Sequence, residues 1–151
     1  MPRIYTIARV RRPIEEVFDF VTMPVSWLQW HPSSVRVSGA TDHSLAIGET
    51  VTEEFLVAGR SGSVTWTVIE RDRPRRWTIS GEVPRVGGGD IAYTLTDKGD
   101  ETVFEREFTY HMANRWLALL EQLIARRRIQ AESVEAMRRL KEFLESSRSS
   151  N

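Results

Sequence analysis

Apolar and polar residues alternate along residues 3–10, with Ile4, Thr6, Ala8 and Val10 on one face and Tyr5, Ile7 and Arg9 on the other. That period of two predicts a strand. Pro13 then opens a helix at its first position, with Glu15 and Glu16 in the first turn, where the macrodipole favours acids. Ile14, Val17, Phe18 and Val21 form its apolar face, and Met23-Pro24 breaks it. Residues 24–30 read as a second short helix ended by His31-Pro32, because a residue before proline is pushed out of the α region. Residues 35–37 read as a short strand, and residues 41–48 as a turn-rich connection.

Five strand-like runs follow, at residues 49–58, 63–71, 76–83, 90–96 and 102–111. The connections between them are of hairpin length, which predicts an antiparallel meander. Alternation puts Val51, Glu53, Phe55 and Val57 on one face, with Val64, Trp66, Val68, Trp77, Ile79, Ile91, Tyr93, Leu95, Phe104, Arg106 and Phe108. The opposite face is mainly Thr, Ser, Glu and Arg. The first face is large and aromatic, so it is expected to pack against a helix, with Glu53, Tyr93 and Arg106 as its few polar groups.

That helix is residues 114–146, free of Gly and Pro, with Asn114 placed as N-cap. Stepping 4,3,4,3 from Trp116 gives Leu120, Leu123, Arg127, Gln130, Val134, Met137, Lys141 and Leu144. This stripe is apolar at its ends and polar in the middle. Either the middle overhangs the body and faces water, or it roofs a cavity with polar walls. Residues 146–151 are expected to be a disordered tail, and residues 1–151 one domain.

Composition narrows the function. Acidic and basic residues balance at 21 each, so no net field steers the chain onto nucleic acid or anionic lipid. Cysteine is absent, which excludes disulfides, a thiolate nucleophile and thiolate metal sites. The N-terminus carries no apolar signal core and no run is long enough to span a bilayer, so a cytoplasmic location without membrane insertion is expected.

His31, His43 and His111 lack metal-ligand spacing, and nothing in the sequence calls for a cofactor. His31, after Trp30, reads first as a structural histidine and second as a lone acid or base near neutral pH; His43 is expected in solvent. Gly87-Gly88-Gly89 reads as a hairpin and not as a phosphate loop, which would need a following Lys and helix. The five tryptophans read as core residues that could also line an aromatic pocket.

The strand, the segment Pro-Ile-Glu-Glu-Val-Phe at 13–18, the segment Trp-Leu-Gln-Trp-His-Pro at 27–32, the meander and the terminal helix together resemble the SRPBCC superfamily, the START-like or helix-grip fold. The branch they look most like is the polyketide cyclase/dehydrase and lipid-transport family. The resemblance implies an α+β architecture: a seven-stranded antiparallel sheet curved around the C-terminal helix, with two short helices after the first strand. It also implies a cavity between sheet and helix for a hydrophobic small molecule such as a lipid, an isoprenoid or an aromatic polyketide-like compound. The expected ligand-binding residues are Trp30, Glu53, Phe55, Trp66, Trp77, Tyr93, Arg106, Phe108, Leu120 and Arg127, with Glu53 expected to pair with Arg106. Two further readings are a cyclase, aromatase or dehydratase using the same groups, and a protein-interaction module of the Hsp90-activator type. Either a monomer or a dimer is compatible with the sequence, and no catalytic residue is assigned.

Overall fold

A computed structural model of the protein describes residues 3–57, 59–112 and 126–149. The elements are β1 (Arg3–Val10), α1 (Ile14–Val21), a 3₁₀ turn (Pro24–Ser26), α2 (Trp27–Trp30), β2 (Ser34–Gly39), β3 (Thr50–Val57), β4 (Arg60–Asp72), β5 (Arg76–Val83), β6 (Gly87–Asp97), β7 (Thr102–Met112) and α3 (Arg126–Ser149). The seven strands form one curled antiparallel sheet in the order β1-β7-β6-β5-β4-β3-β2. β1 and β2 are therefore its two edges, and α1 and α2 carry the chain from one edge to the other.

The alternating face assigned from sequence is the concave one. Val51, Val68, Trp77, Ile79, Leu95 and Phe104 are buried there with Val17, Phe18 and Val21 of α1, Trp27 and Trp30 of α2, and Ala136, Met137, Leu140 and Leu144 of α3. Leu45 completes this core although it lies in the polar connection 41–48. Its backbone is pinned on both sides: Leu45 N–H donates to Thr22 O at 3.2 Å and Trp77 Nε1–H to Leu45 O at 3.1 Å.

Several local expectations are corrected. Pro13 is the N-cap and not the first helical residue; it is extended, and its carbonyl accepts the first helical bond, from Val17 N–H at 3.1 Å. Gly87-Gly88-Gly89 belongs to β6, where it pairs with both β5 and β7, so the hairpin shrinks to Pro84-Arg85-Val86. The last helix continues to Ser149, past the expected end at Ser146. Ser146 Oγ donates to Glu142 O at 2.5 Å, a back-bond to the i−4 carbonyl that fits a serine into helix. Asn114, Trp116, Leu120 and Leu123 lie outside the described residues.

The helical stripe itself is rotated. α3 buries Ile129, Ser133, Ala136, Met137, Leu140 and Leu144, and leaves Arg127, Gln130, Val134 and Lys141 exposed. The observed stripe differs from the expected one by roughly one residue, about 100° of helix. Met137 and Leu144 serve both stripes, which is why the sequence pattern is ambiguous. The rotation keeps the Arg127 and Lys141 charges in water, where no desolvation cost arises. Leu140→Ala should therefore lower the unfolding free energy by about 2–5 kcal/mol in urea titrations, whereas Val134→Ala should change it by no more than about 0.5 kcal/mol. Similar losses for the two would contradict this orientation.

Candidate functional site

Among the described residues, the concave face is filled at one end and open at the other. On the filled side stand Val51, Val68, Trp77, Leu95 and Phe104. One step further along the strands, a cavity of about 280 Å³ begins at Glu53, Trp66, Ile79, Tyr93 and Arg106. It continues to the β3–β4 and β5–β6 hairpins, past Phe55, Val64, Gly81, Gly89 and Phe108. Trp30 and His31 close it from the α2 side, and Ile129, Glu132 and Ser133 from α3.

Part of the wall is bare backbone. Gly81 and Gly89 are directly paired across β5 and β6, both on the inward phase. A Cβ on Gly81 would lie 2.8 Å from Trp66 Cε3, and one on Gly89 3.0 Å from Phe108 Cε1 and 2.6 Å from Thr109 O. The two aromatic rings therefore lie where side chains would otherwise stand, and glycine is required for that close approach.

The polar groups gather where core meets cavity. Arg106 is only 4% exposed although it is a guanidinium in an aromatic setting. Its Nη1 is 3.5 Å from Ser133 Oγ, its guanidinium carbon lies 5.8 Å from the Phe108 ring centroid, and its charge bears on the Tyr93 phenol. Tyr93 is directly opposite Arg106 on β6. Burial pushes the Tyr93 phenol up to about 12, with the Arg106 charge opposing the rise, so it is a neutral hydroxyl at physiological pH. The expected Glu53–Arg106 ion pair is not formed. β4, β5 and β6 separate their strands, and Glu53 instead accepts from Trp66 Nε1–H at 3.0 Å. Burial raises the Glu53 carboxyl above its usual range; the Trp66 bond and the more distant Arg106 charge act the other way.

Seven of the expected residues, Trp30, Glu53, Phe55, Trp66, Tyr93, Arg106 and Phe108, line the cavity. Trp77 does not: it lies one step too deep, packed against Trp27 and Tyr93 with its indole N–H held by Leu45 O. Arg127 is also corrected. It is exposed, because it is two residues from the buried Ile129 and so on the opposite side of α3. Leu120 lies outside the described residues. Sequence reading missed Ser33, Glu132 and Ser133. Ser133 falls on the rotated stripe, and Ser33 Oγ donates to Glu132 Oε2 at 2.7 Å across the seam between α2 and α3, a contact between residues 99 apart that no local pattern reveals.

His31 is the imidazole at this seam. Ser33 N–H donates to its Nδ1 at 3.2 Å, which assigns the ring proton to Nε2. That Nε2 is sealed from solvent and has no partner among the described residues. Burial, then the charges of Arg106 and Arg139, hold the imidazole well below its ordinary value. His43, by contrast, is half exposed between Asp42 at 3.0 Å and Glu49 at 2.8 Å, and these carboxylates raise it. Among the described residues no group of His, Asp and Glu side chains could hold a metal, and no helix is long and apolar enough to cross a membrane. Because His31 takes up its proton less readily in the folded state, its stabilising contribution is complete above about pH 6.5 and is lost as pH falls below that value. Between about pH 7.5 and 5.5 the urea midpoint should fall more steeply for the natural protein than for His31→Gln; parallel profiles would contradict a neutral buried imidazole. His43 is common to both proteins and drops out of the difference.

No curated protein matches the chain in sequence. Among solved structures, it resembles TTHA0849 from Thermus thermophilus at 10% identity with a TM-score of 0.80, covering 97% of this chain and 99% of that one. It resembles DynU16, a protein of the dynemicin biosynthetic locus, at 18% identity and TM-score 0.66, covering 96% of this chain and 48% of that one. The di-domain ARO/CYC protein BexL of the BE-7585A biosynthetic pathway gives 20% identity and TM-score 0.68, with 96% and 47% covered. The chain thus spans about half the length of DynU16 and of BexL. At these identities the likeness establishes the fold. The family model described as polyketide cyclase/dehydrase and lipid transport matches residues 1–145, so the chain belongs to that family.

Proposed function

We propose that the protein binds a compact hydrophobic small molecule in the cavity between the sheet and α3, with Tyr93 and Arg106 orienting its polar end. The observation that carries this reading is the cavity itself. A space of about 280 Å³ walled mainly by Trp30, Phe55, Trp66, Phe108 and backbone glycine, with a few polar side chains such as Tyr93 and Arg106 among them, matches the apolar pocket with few polar groups that small ligands occupy. It supports a small ligand over a protein-interaction module, for which a closed, dry core is the natural expectation. A protein-sized core of this shape gains nothing from leaving aromatic surface uncovered, since packing density in interiors is otherwise high.

Native mass spectrometry of the protein purified from cells should show a small-molecule adduct, and Nile red should bind with a stoichiometry near one while quenching tryptophan emission. Ile129→Trp places an indole in the cavity from α3 and should weaken Nile red by about tenfold or more, with the circular dichroism spectrum unchanged. Undiminished dye binding in that variant would place the dye elsewhere and count against the reading.

The second reading, a cyclase, aromatase or dehydratase-type reaction in the same cavity, is favoured by one specific arrangement. A carboxyl raised by burial (Glu53) shares the polar end with a guanidinium and a phenol, the kinds of group that donate and accept protons around a carbonyl. The likeness to an ARO/CYC protein points the same way. If it holds, Glu53→Gln should abolish turnover of a poly-β-ketone thioester while leaving Nile red binding within about threefold of the natural protein. No turnover by the unaltered protein would leave the binding reading alone.

A further inference from the structure

Among the described residues that line the cavity, two carboxylates, Glu53 and Glu132, stand against one guanidinium, Arg106. Neither carboxylate forms an ion pair with a described residue. Glu53 accepts from Trp66 Nε1–H at 3.0 Å, and Glu132 from Ser33 Oγ–H at 2.7 Å. Arg106 is three strands away from Glu53, with β4, β5 and β6 between, and its charge is the weakest of the influences on that carboxyl. Glu53 also has an oxygen to spare. It lies deep on the concave face yet is only half-buried, and its Oε2 takes no hydrogen bond from a described residue. Ser34 Oγ bears on this carboxyl without making a hydrogen bond to it. Glu53 therefore presents a free carboxylate oxygen to the cavity.

The walls beside it are aromatic. Phe55 is two residues further along β3 on the same face, and Trp66 holds the other carboxylate oxygen. Both rings reach over a glycine of the neighbouring strand: a Cβ on Gly62 would lie 2.6 Å from Phe55 Cζ, and one on Gly81 2.8 Å from Trp66 Cε3. A ring laid over a glycine in this way lies along the sheet and turns a face toward the cavity, the negative side of its quadrupole. Carboxylate and ring faces attract the same kind of group. A cation over the faces gains from the quadrupoles, and gains most where water is excluded. The carboxylate supplies the opposite charge. Burial disfavours the charge on Glu53, and an adjacent cation restores it.

Resting on the binding reading above, we infer that the Glu53 side of the cavity is a cation subsite, in which the Glu53 carboxylate and the ring faces of Phe55 and Trp66 hold the ammonium group of a compact organic amine. Trp30 and Phe108 take the hydrocarbon part. The subsite selects by charge and not by hydrogen bonding, so a quaternary nitrogen, which has no N–H to donate, is held as well. Trp66 acts twice: its indole N–H fixes one carboxylate oxygen, and its face lies beside the other.

The test pairs phenyltrimethylammonium with tert-butylbenzene, the same shape with carbon in place of the charged nitrogen, each displacing Nile red at about pH 7.5. Water solvates the cation far better than the hydrocarbon, so an apolar cavity without a counter-charge should favour tert-butylbenzene by about hundredfold or more. The natural protein should instead take the cation at least as tightly as the hydrocarbon. Glu53→Gln, which keeps the shape and loses the charge, should shift the ratio of the two affinities toward the hydrocarbon by about ten- to hundredfold. In NMR spectra of the natural protein with phenyltrimethylammonium, the N-methyl protons should show nuclear Overhauser contacts to the rings of Phe55 and Trp66. A preference of about tenfold or more for the hydrocarbon in the natural protein overturns the cation subsite and leaves the binding reading intact. So does an unchanged ratio in Glu53→Gln. N-methyl contacts confined to other rings overturn the subsite without recourse to a variant. Failure of the cation, the hydrocarbon and Nile red alike to bind overturns the binding reading and the subsite with it.

Discussion

A curved sheet that gathers Trp66, Trp77, Tyr93 and Phe104 on its concave face must keep that face away from water. Each such ring carries roughly 150–250 Å² of surface, and at about 25 cal/mol per Å² the face contributes far more to folding than any single polar contact in the molecule. The rest of the chain serves this requirement. α1 and α2 cross from one sheet edge to the other and deliver Phe18, Trp27 and Trp30. The connection before β3 delivers Leu45, and α3 delivers Ala136, Met137, Leu140 and Leu144. Among the described residues, coverage is complete over one end only. Beyond the oblique line from Glu53 to Arg106 the covering residues among those described stop, and the space beside them is the cavity.

That line is also where the polar groups stand. A guanidinium or carboxyl inside the filled half would meet nothing but hydrocarbon. At the boundary Arg106 keeps Tyr93 and Ser133 within reach and lies against the Phe108 ring, while Glu53 keeps Trp66. Incomplete packing and polar chemistry are thus two aspects of one arrangement: the groups are tolerated because the core ends there, and they can meet a ligand for the same reason.

The strands and their inward faces were legible because a period of two is a local property, and the inward phase of Glu53, Tyr93 and Arg106 followed from their apolar neighbours at i±2. The helix stripe was less so. Met137 and Leu144 fit two registers, and the choice between them depends on which charged residues would be buried, a question settled by tertiary packing. Arg127 was misplaced for that reason. Trp77 was misjudged because alternation gives the face of a residue but not its depth along the strand, and here one step separates core from cavity. The Ser33–Glu132 bond and the His31 tautomer depend on the approach of α3 to the turn after α2, which no spacing along the chain encodes. Family resemblance supplied the cavity but not the identity of its donors.

The paired glycines of β5 and β6 bear on how such a pocket can change over generations. A wall of side chains can be trimmed or extended one methylene at a time, giving selection a graded series of shapes. Gly81 and Gly89 offer no such series. They have no side chain to shorten, and a single added methyl would collide with Trp66 on one side and with Phe108 and the Thr109 carbonyl on the other. The sheet side of the pocket is therefore resistant to drift, while Ile129 and Ser133 on α3, together with the hairpin ends, remain free to vary. Descendants of this chain that acquire new ligands should differ mainly on the helical side, with the glycine pair and the rings that rest on it inherited as a unit.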